Sequence, residues 1–204
     1  MGLALGLLVG TAIALAETSE LIRPAHDLPV SGVPACGSDD NILILMAQAV
    51  PGSAAIPCIA SVPAGWHLES AQVRRGQARF WLSSDVAGER AVEVTLQPPE
   101  RCDVDGATNV MNDQPDTRQY ERIERLAPGL RTTRYYLVEG GCVTYRTNFE
   151  SGTELSLAVQ VSEALSLTPR RDLVDAVAAN SDQSLCGYAA PPCPGGTGRQ
   201  GPGR

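Results

Sequence analysis

Six cysteines, none spaced as a metal-ligand pair, constrain this chain more than any other feature. Cys36, Cys58, Cys102, Cys142, Cys186 and Cys193 are separated by 21, 43, 39, 43 and 6 residues, so no Cys-x2-Cys occurs. Zinc ribbons and thioredoxin-type redox sites depend on that close spacing. Dispersed cysteines in even number read instead as structural disulfides, which persist in oxidising compartments outside the cytoplasm. Spacing leaves the connectivity open. Sequential pairing, Cys36–Cys58, Cys102–Cys142 and Cys186–Cys193, is the expectation, because each bridge then closes a short irregular segment or a hairpin edge. Bridges of this kind stabilise by about 2–4 kcal/mol each in the chain-entropy account.

The N-terminus agrees with export. Gly2 to Ala16 carries no charged side chain. As a helix it would reach roughly 22 Å, short of the roughly 30 Å hydrocarbon core of a bilayer and well sized for a signal peptide. Ala14-Leu15-Ala16 fits a small-x-small cleavage site. No basic residue precedes it, which a signal peptide ordinarily has. Residues 1–16 are therefore read as a signal peptide or a transmembrane anchor, with the membrane a partner through this N-terminal helix. Residues 17–35, rich in proline and small residues, read as a flexible linker. Residues 36–188 are expected to form a disulfide-stabilised domain. Residues 189–204, dominated by glycine and proline, are expected to be a disordered tail.

Composition excludes several chemistries. Hydrophobic residues make up 43%, enough for a core, but aromatics only 4%, so the core must be aliphatic. All basic side chains are arginine; with no lysine, a Schiff base or a P-loop is impossible. The net charge of −7 disfavours a nucleic-acid partner, and few aromatics are left to stack bases. No cofactor-binding motif occurs, and no G-x-S-x-G nucleophile elbow.

Periodicity points to an α+β fold. Ser38 or Asp39 is a candidate cap for an apolar helix over residues 41–50, with a buried strand as the competing reading of so short an apolar run. Residues 66–98 carry three strands in which Trp66, Leu68, Ala71 and Val73, then Ala78, Phe80 and Leu82, then Val92, Val94 and Leu96 alternate with polar residues. Residues 117–126 form a weaker, highly charged candidate strand. Residues 131–139 and 142–149 form a hairpin whose turn is expected at Gly140-Gly141, both at positive φ. Residues 154–167 alternate as a strand would at first, but their length favours a buried helix. Thr168-Pro169 reads as a helix cap followed by proline at the first helical position. The expected architecture is a mainly antiparallel sheet of five or six strands with two or three helices on one face, preceded by the N-terminal apolar helix.

No residue set announces a reaction. Trp66, His67, Trp81, Tyr135 and Tyr145 all fall in expected strands and are candidates for an aromatic-lined ligand groove. His67 near Ser83, Ser84 and carboxylates is the one candidate base for an extracytoplasmic hydrolase. Asp103, Asp105 and Asp113 offer oxygen ligands in a polar loop, but the spacing departs from an EF-hand, which leaves a weak calcium candidate. Taken together, the sequence describes an exported or membrane-anchored cell-envelope module that binds a protein or a small ligand without catalysis, with the His67 hydrolase as the alternative.

Overall fold

The computed structural model describes residues 28–30, 33–37, 41–112, 116–150, 155–180 and 184–193. The signal or anchor segment, the caps proposed at Ser38 and Asp39, Asp113, and the tail beyond Cys193 lie outside them. Among the described residues ten strands and three α-helices follow one another: β1 (Leu28–Val30), α1 (Asn41–Ala49), β2 (Ala55–Ile59), β3 (Trp66–Arg74), β4 (Gln77–Ser84), β5 (Gly88–Gln97), β6 (Thr108–Val110), β7 (Arg118–Arg125), β8 (Arg131–Val138), β9 (Gly141–Asn148), α2 (Leu155–Ala164), β10 (Leu165–Pro169) and α3 (Arg170–Asn180). Eight strands make one antiparallel sheet in the order β1-β3-β4-β5-β9-β8-β7-β6, and β10 pairs with β2 in a second, two-stranded sheet. The class is α+β, as the periodicity implies, but the main sheet is wider than five or six strands. The extra strands, β1 and β6, are edge strands of three residues, too short to show a period. β1 lies within the stretch read as a linker.

Burial is one-sided. Phe80, Leu82, Val92, Val94, Leu96, Val143 and Tyr145 point from the sheet into a single core, where Ile42, Leu43 and Met46 of α1, Val161 of α2 and Leu173 and Val177 of α3 meet them. A bulge at Glu69 explains the uneven first strand. The register shifts between Leu68 and Ser70, so Trp66 before it and Ala71 after it both face inward although they are five positions apart.

Three local expectations are corrected. The helix expected over 154–167 stops at Ala164, and Leu165–Pro169 turns into β10. β2 is almost wholly buried and apolar, so its backbone groups require a strand partner, and β10 supplies one. Thr168 is consequently a strand residue whose hydroxyl lies 3.1 Å from Cys58 Sγ, and α3 starts at Arg170, whose own N–H donates to Ala54 O at 2.8 Å. In the β8–β9 hairpin Val138 opposes Gly141, so the turn residues are Glu139 and Gly140, and only Gly140 has positive φ, at 63°. The glycine pair is required by docking instead. A Cβ on Gly140 would stand 1.8 Å from Gly52 O, and one on Gly141 2.1 Å from Ser53 Oγ.

The disulfides join Cys36 to Cys58, Cys102 to Cys142 and Cys186 to Cys193. The first ties the segment before α1 to β2, the second ties the turn after β5 to β9, and the third closes the C-terminal loop. Three bridges point to an oxidising, extracytoplasmic compartment. Among the described residues no helix is long and apolar enough to cross a membrane.

Arg170 is completely buried. Its Nη1 donates to Ala47 O and its Nη2 to Cys186 O, both at 2.6 Å, and Nε has no partner. Ala47 belongs to the last turn of α1, where backbone carbonyls lack helical donors and the helix dipole favours a cation. Burial pulls the guanidinium down to about 10, so it remains charged at neutral pH. Replacing Arg170→Met keeps most of the volume but strands one buried and one partly buried carbonyl. Urea unfolding with the disulfides intact should show a loss of about 2–4 kcal/mol. An unchanged midpoint would refute the structural role assigned to this side chain.

Candidate functional site

Strand alternation divides the aromatic set between two faces. Trp66 and Tyr145 are core residues: Trp66 packs on Phe149 with ring centroids 5.9 Å apart, and Tyr145 on Tyr136 at 5.0 Å. The Tyr145 hydroxyl donates to Ser166 O at 3.3 Å, and burial pushes its phenol far up, leaving it neutral and remote from solvent. Trp81, Tyr135 and His67 belong to the opposite face. A single groove lined by all five therefore does not form. A residue's neighbour in sequence points the other way, and the five positions have mixed parity.

The opposite face is the one without a helix. β4 sends Arg79, Trp81 and Ser83 to it, β5 Glu93, Thr95 and Gln97, β9 Thr144, Arg146 and Asn148, and β8 Arg131, Thr133 and Tyr135, as the pairing registers require. Two adjoining polar hollows lie on it. One, of about 430 Å³, is walled by Trp81, Arg90, Glu93, Glu124, Arg131, Arg146 and Asn148. The other, of about 300 Å³, is walled by residues including Arg101, Asp103, Arg122, Tyr135, Thr144 and Arg146. Arg146 and Glu93, which oppose each other across β9 and β5, belong to both.

The guanidinium groups around these hollows are held by planar contacts. Arg79 and Arg90 lie over the Trp81 ring at 5.6 and 5.3 Å, and Arg122 over Tyr135 at 5.5 Å. Arg90 Nε is 2.7 Å from Glu69 Oε1, Arg79 pairs with Glu93 at 3.6 Å, and Arg131 donates twice to Asn148 Oδ1, at 3.1 and 2.8 Å. Trp81 is itself only 8% exposed, so it serves as a backing for two arginines and not as a bare stacking surface. Arg146 is exposed and makes no hydrogen bond or ion pair among the described residues. Arginine outnumbers carboxylate on this face, although the whole chain is acidic at −7.

His67 does not join a catalytic constellation. It opposes Ser83 across β3 and β4, but the Ser83 hydroxyl donates to Glu69 Oε2 at 2.6 Å and accepts the Arg90 backbone N–H at 2.9 Å. His67 is exposed and has no hydrogen bond among the described residues. With the serine proton directed to Glu69, the geometry offers no base for it at His67. In the aspartate loop, Asp103 Oδ1 accepts the Asp105 N–H at 3.0 Å in a local turn, and the backbone oxygens of Asp103 and Asp105 accept from Arg122. Asp113 lies outside the described residues, and among those described no three His, Cys, Asp or Glu side chains gather to hold a metal ion.

The sequence reading missed Arg79, Arg90, Arg122, Arg131 and Arg146. Their signal was faint but present: in β4, β8 and β9 arginine occupies positions between the apolar ones, which places it on the wet face. Comparison of the chain with protein-family models, curated proteins and solved structures gives no match.

Ser83 and Arg90 together hold the Glu69 carboxyl below its ordinary value, chiefly through hydrogen bonds. A depressed folded-state value contributes stability that is complete above the unfolded value of about 4.5 and is lost as pH falls through the lower folded one. The Tm gap between wild type and Glu69→Gln should therefore stay constant above about pH 4.5 and close below it. Trp81 fluorescence should shift in the variant, because Arg90 loses its anchor. A gap independent of pH would show that the carboxylate is not the stabilised form.

Proposed function

We propose that this protein is a non-catalytic module of the extracytoplasmic cell envelope, delivered or anchored by its apolar N-terminal segment. It binds an anionic ligand, one bearing carboxylate or phosphate groups, on the uncovered face of the eight-stranded sheet. The observation that carries this reading is Arg146, which projects from the centre of that face, joins both hollows and makes no ion pair among the described residues, Glu93 opposite it being paired with Arg79 at 3.6 Å. Around it, arginines are fixed over Trp81 and Tyr135, which lowers the entropy lost when a planar anion is gripped. A guanidinium fork matches carboxylate and phosphate geometry. The polar lining and rigid strand positions favour binding over turnover: the hydroxyl–carboxylate contacts there, Thr95 to Glu93 at 3.5 Å and Thr133 to Glu124 at 3.4 Å, are long for proton transfer.

The test is titration calorimetry of the purified protein with polyglutamate, polygalacturonate and inorganic polyphosphate at several salt concentrations. At least one should bind, with affinity falling as salt rises. Arg146→Gln should weaken it at least tenfold with little change in Tm, because the side chain is exposed and unpaired and the amide sets no like charge opposite Glu93. Failure of all three polymers to bind, or binding indifferent to Arg146→Gln, would overturn the assignment.

A further inference from the structure

The positive charge around the two hollows is offset by acceptors in the same walls. Arg90 is held by Glu69 at 2.7 Å and Glu93 by Arg79 at 3.6 Å, so these two lining residues carry little free charge. Among the described residues Arg101, Arg122 and Arg131 donate only to neutral acceptors: Gly76 O, the backbone oxygens of Asp103 and Asp105, and Asn148 Oδ1. With Arg146 they make four lining arginines that have no carboxylate partner. Two lining carboxylates likewise have no cation: Asp103, whose Oδ1 accepts the Asp105 N–H, and Glu124, which accepts only the long contact from Thr133 at 3.4 Å.

Strand register spaces these groups. Residues two apart along a strand stand about 7 Å apart on one face. Arg131 opposes Asn148 in one row; in the next, Arg146 stands between Glu93 and Thr133, and Arg122 lies beyond Thr133. The following row, Thr95, Thr144 and Tyr135, carries hydroxyls and no charge. Gln97 comes after it, its amide donating to Arg101 O at 2.9 Å. Cations therefore recur along a line of roughly 20 Å with hydroxyl and amide groups between them. Trp81 (8% exposed) and Tyr135 (5%) already lie under guanidinium groups, so neither presents a bare ring to a ligand.

Such a surface calls for a ligand with donors as well as anionic acceptors. An ionised carboxylate only accepts hydrogen bonds, so Asp103 and Glu124 repel a ligand made of anionic oxygens alone. A polyphosphate has no donor to give them. An extended polyglutamate turns carboxylates toward the surface while its N–H groups lie sideways, along the hydrogen-bonding direction. A uronate unit sets one carboxylate among several hydroxyls, each able to donate and accept. We infer that the ligand of this face is an acidic polysaccharide of uronate type that lies along the strands. Its carboxylates meet Arg146 and the other unpaired arginines, and its hydroxyls meet Glu124, Asp103 and Thr144. The inference rests on the anion-binding reading of this face and names the class of ligand that the face selects.

The test is calorimetry on the full-length, disulfide-bonded chain in non-ionic detergent at one fixed salt concentration. The probes are polygalacturonate and alginate, polyglutamate and polyphosphate at matched charge, and neutral dextran. At least one uronate polymer should bind at least tenfold tighter than polyglutamate and polyphosphate, and dextran should not bind. Glu124→Ala then decides by sign. The residue is exposed, so Tm should hold. Loss of a carboxylate that accepts a sugar hydroxyl should weaken the uronate polymer about threefold or more, whereas loss of a negative charge should strengthen polyphosphate. Polyglutamate or polyphosphate binding as tightly as both uronate polymers, or Glu124→Ala strengthening the uronate polymer or leaving it unchanged, would overturn the polysaccharide and leave the anion site standing. Dextran binding as tightly as the uronates, or no polymer binding at all, would overturn both.

Discussion

A cation with no counter-ion among the described residues holds the covered side of this protein together. Arg170 sits where α1 ends, α3 begins and the C-terminal loop returns, and it satisfies a carbonyl from each of the other two. A buried ion is costly when unpaired, and the protein lowers that cost by placing it at the negative end of a helix. Other donors complete the same terminus: Val50 N–H reaches Met46 O, and Gly76 N–H, from the β3–β4 turn, reaches Ala49 O. α1 is thereby locked to the sheet, to α3 and to the Cys186–Cys193 loop at once. Arginine's several donors make one residue sufficient at this three-way junction.

The same junction decides which side of the sheet stays open. Three helices and the β2–β10 pair share one core, so the polar residues of β4, β5, β9 and β8 lie on the side no helix covers among the described residues, although Ser83, Thr95 and Thr133 are themselves buried there. An uncovered face of an antiparallel sheet ordinarily carries mixed, unremarkable polar groups. Here it carries arginines backed by Trp81 and Tyr135, in a chain that is acidic elsewhere. Few aromatics are present, and two of them are spent beneath guanidinium groups.

What the sequence made legible follows from local physics. Alternation in Ala78, Phe80 and Leu82 or in Val92, Val94 and Leu96 identified central strands because one face is buried and the other wet. The sequential cysteine pairing was the simplest closure, and the fold adopts it. Legibility failed where distant partners decide. β10 is a strand because buried β2 lacks another neighbour, and nothing within residues 165–169 says so. The Gly140-Gly141 pair was visible, but its reason, close approach of Gly52 and Ser53, is tertiary. The arginine-bearing face was hidden for a related cause: aromatic type drew attention to Trp66 and Tyr145, whereas face parity, shifted by the bulge at Glu69, determines which side chains meet.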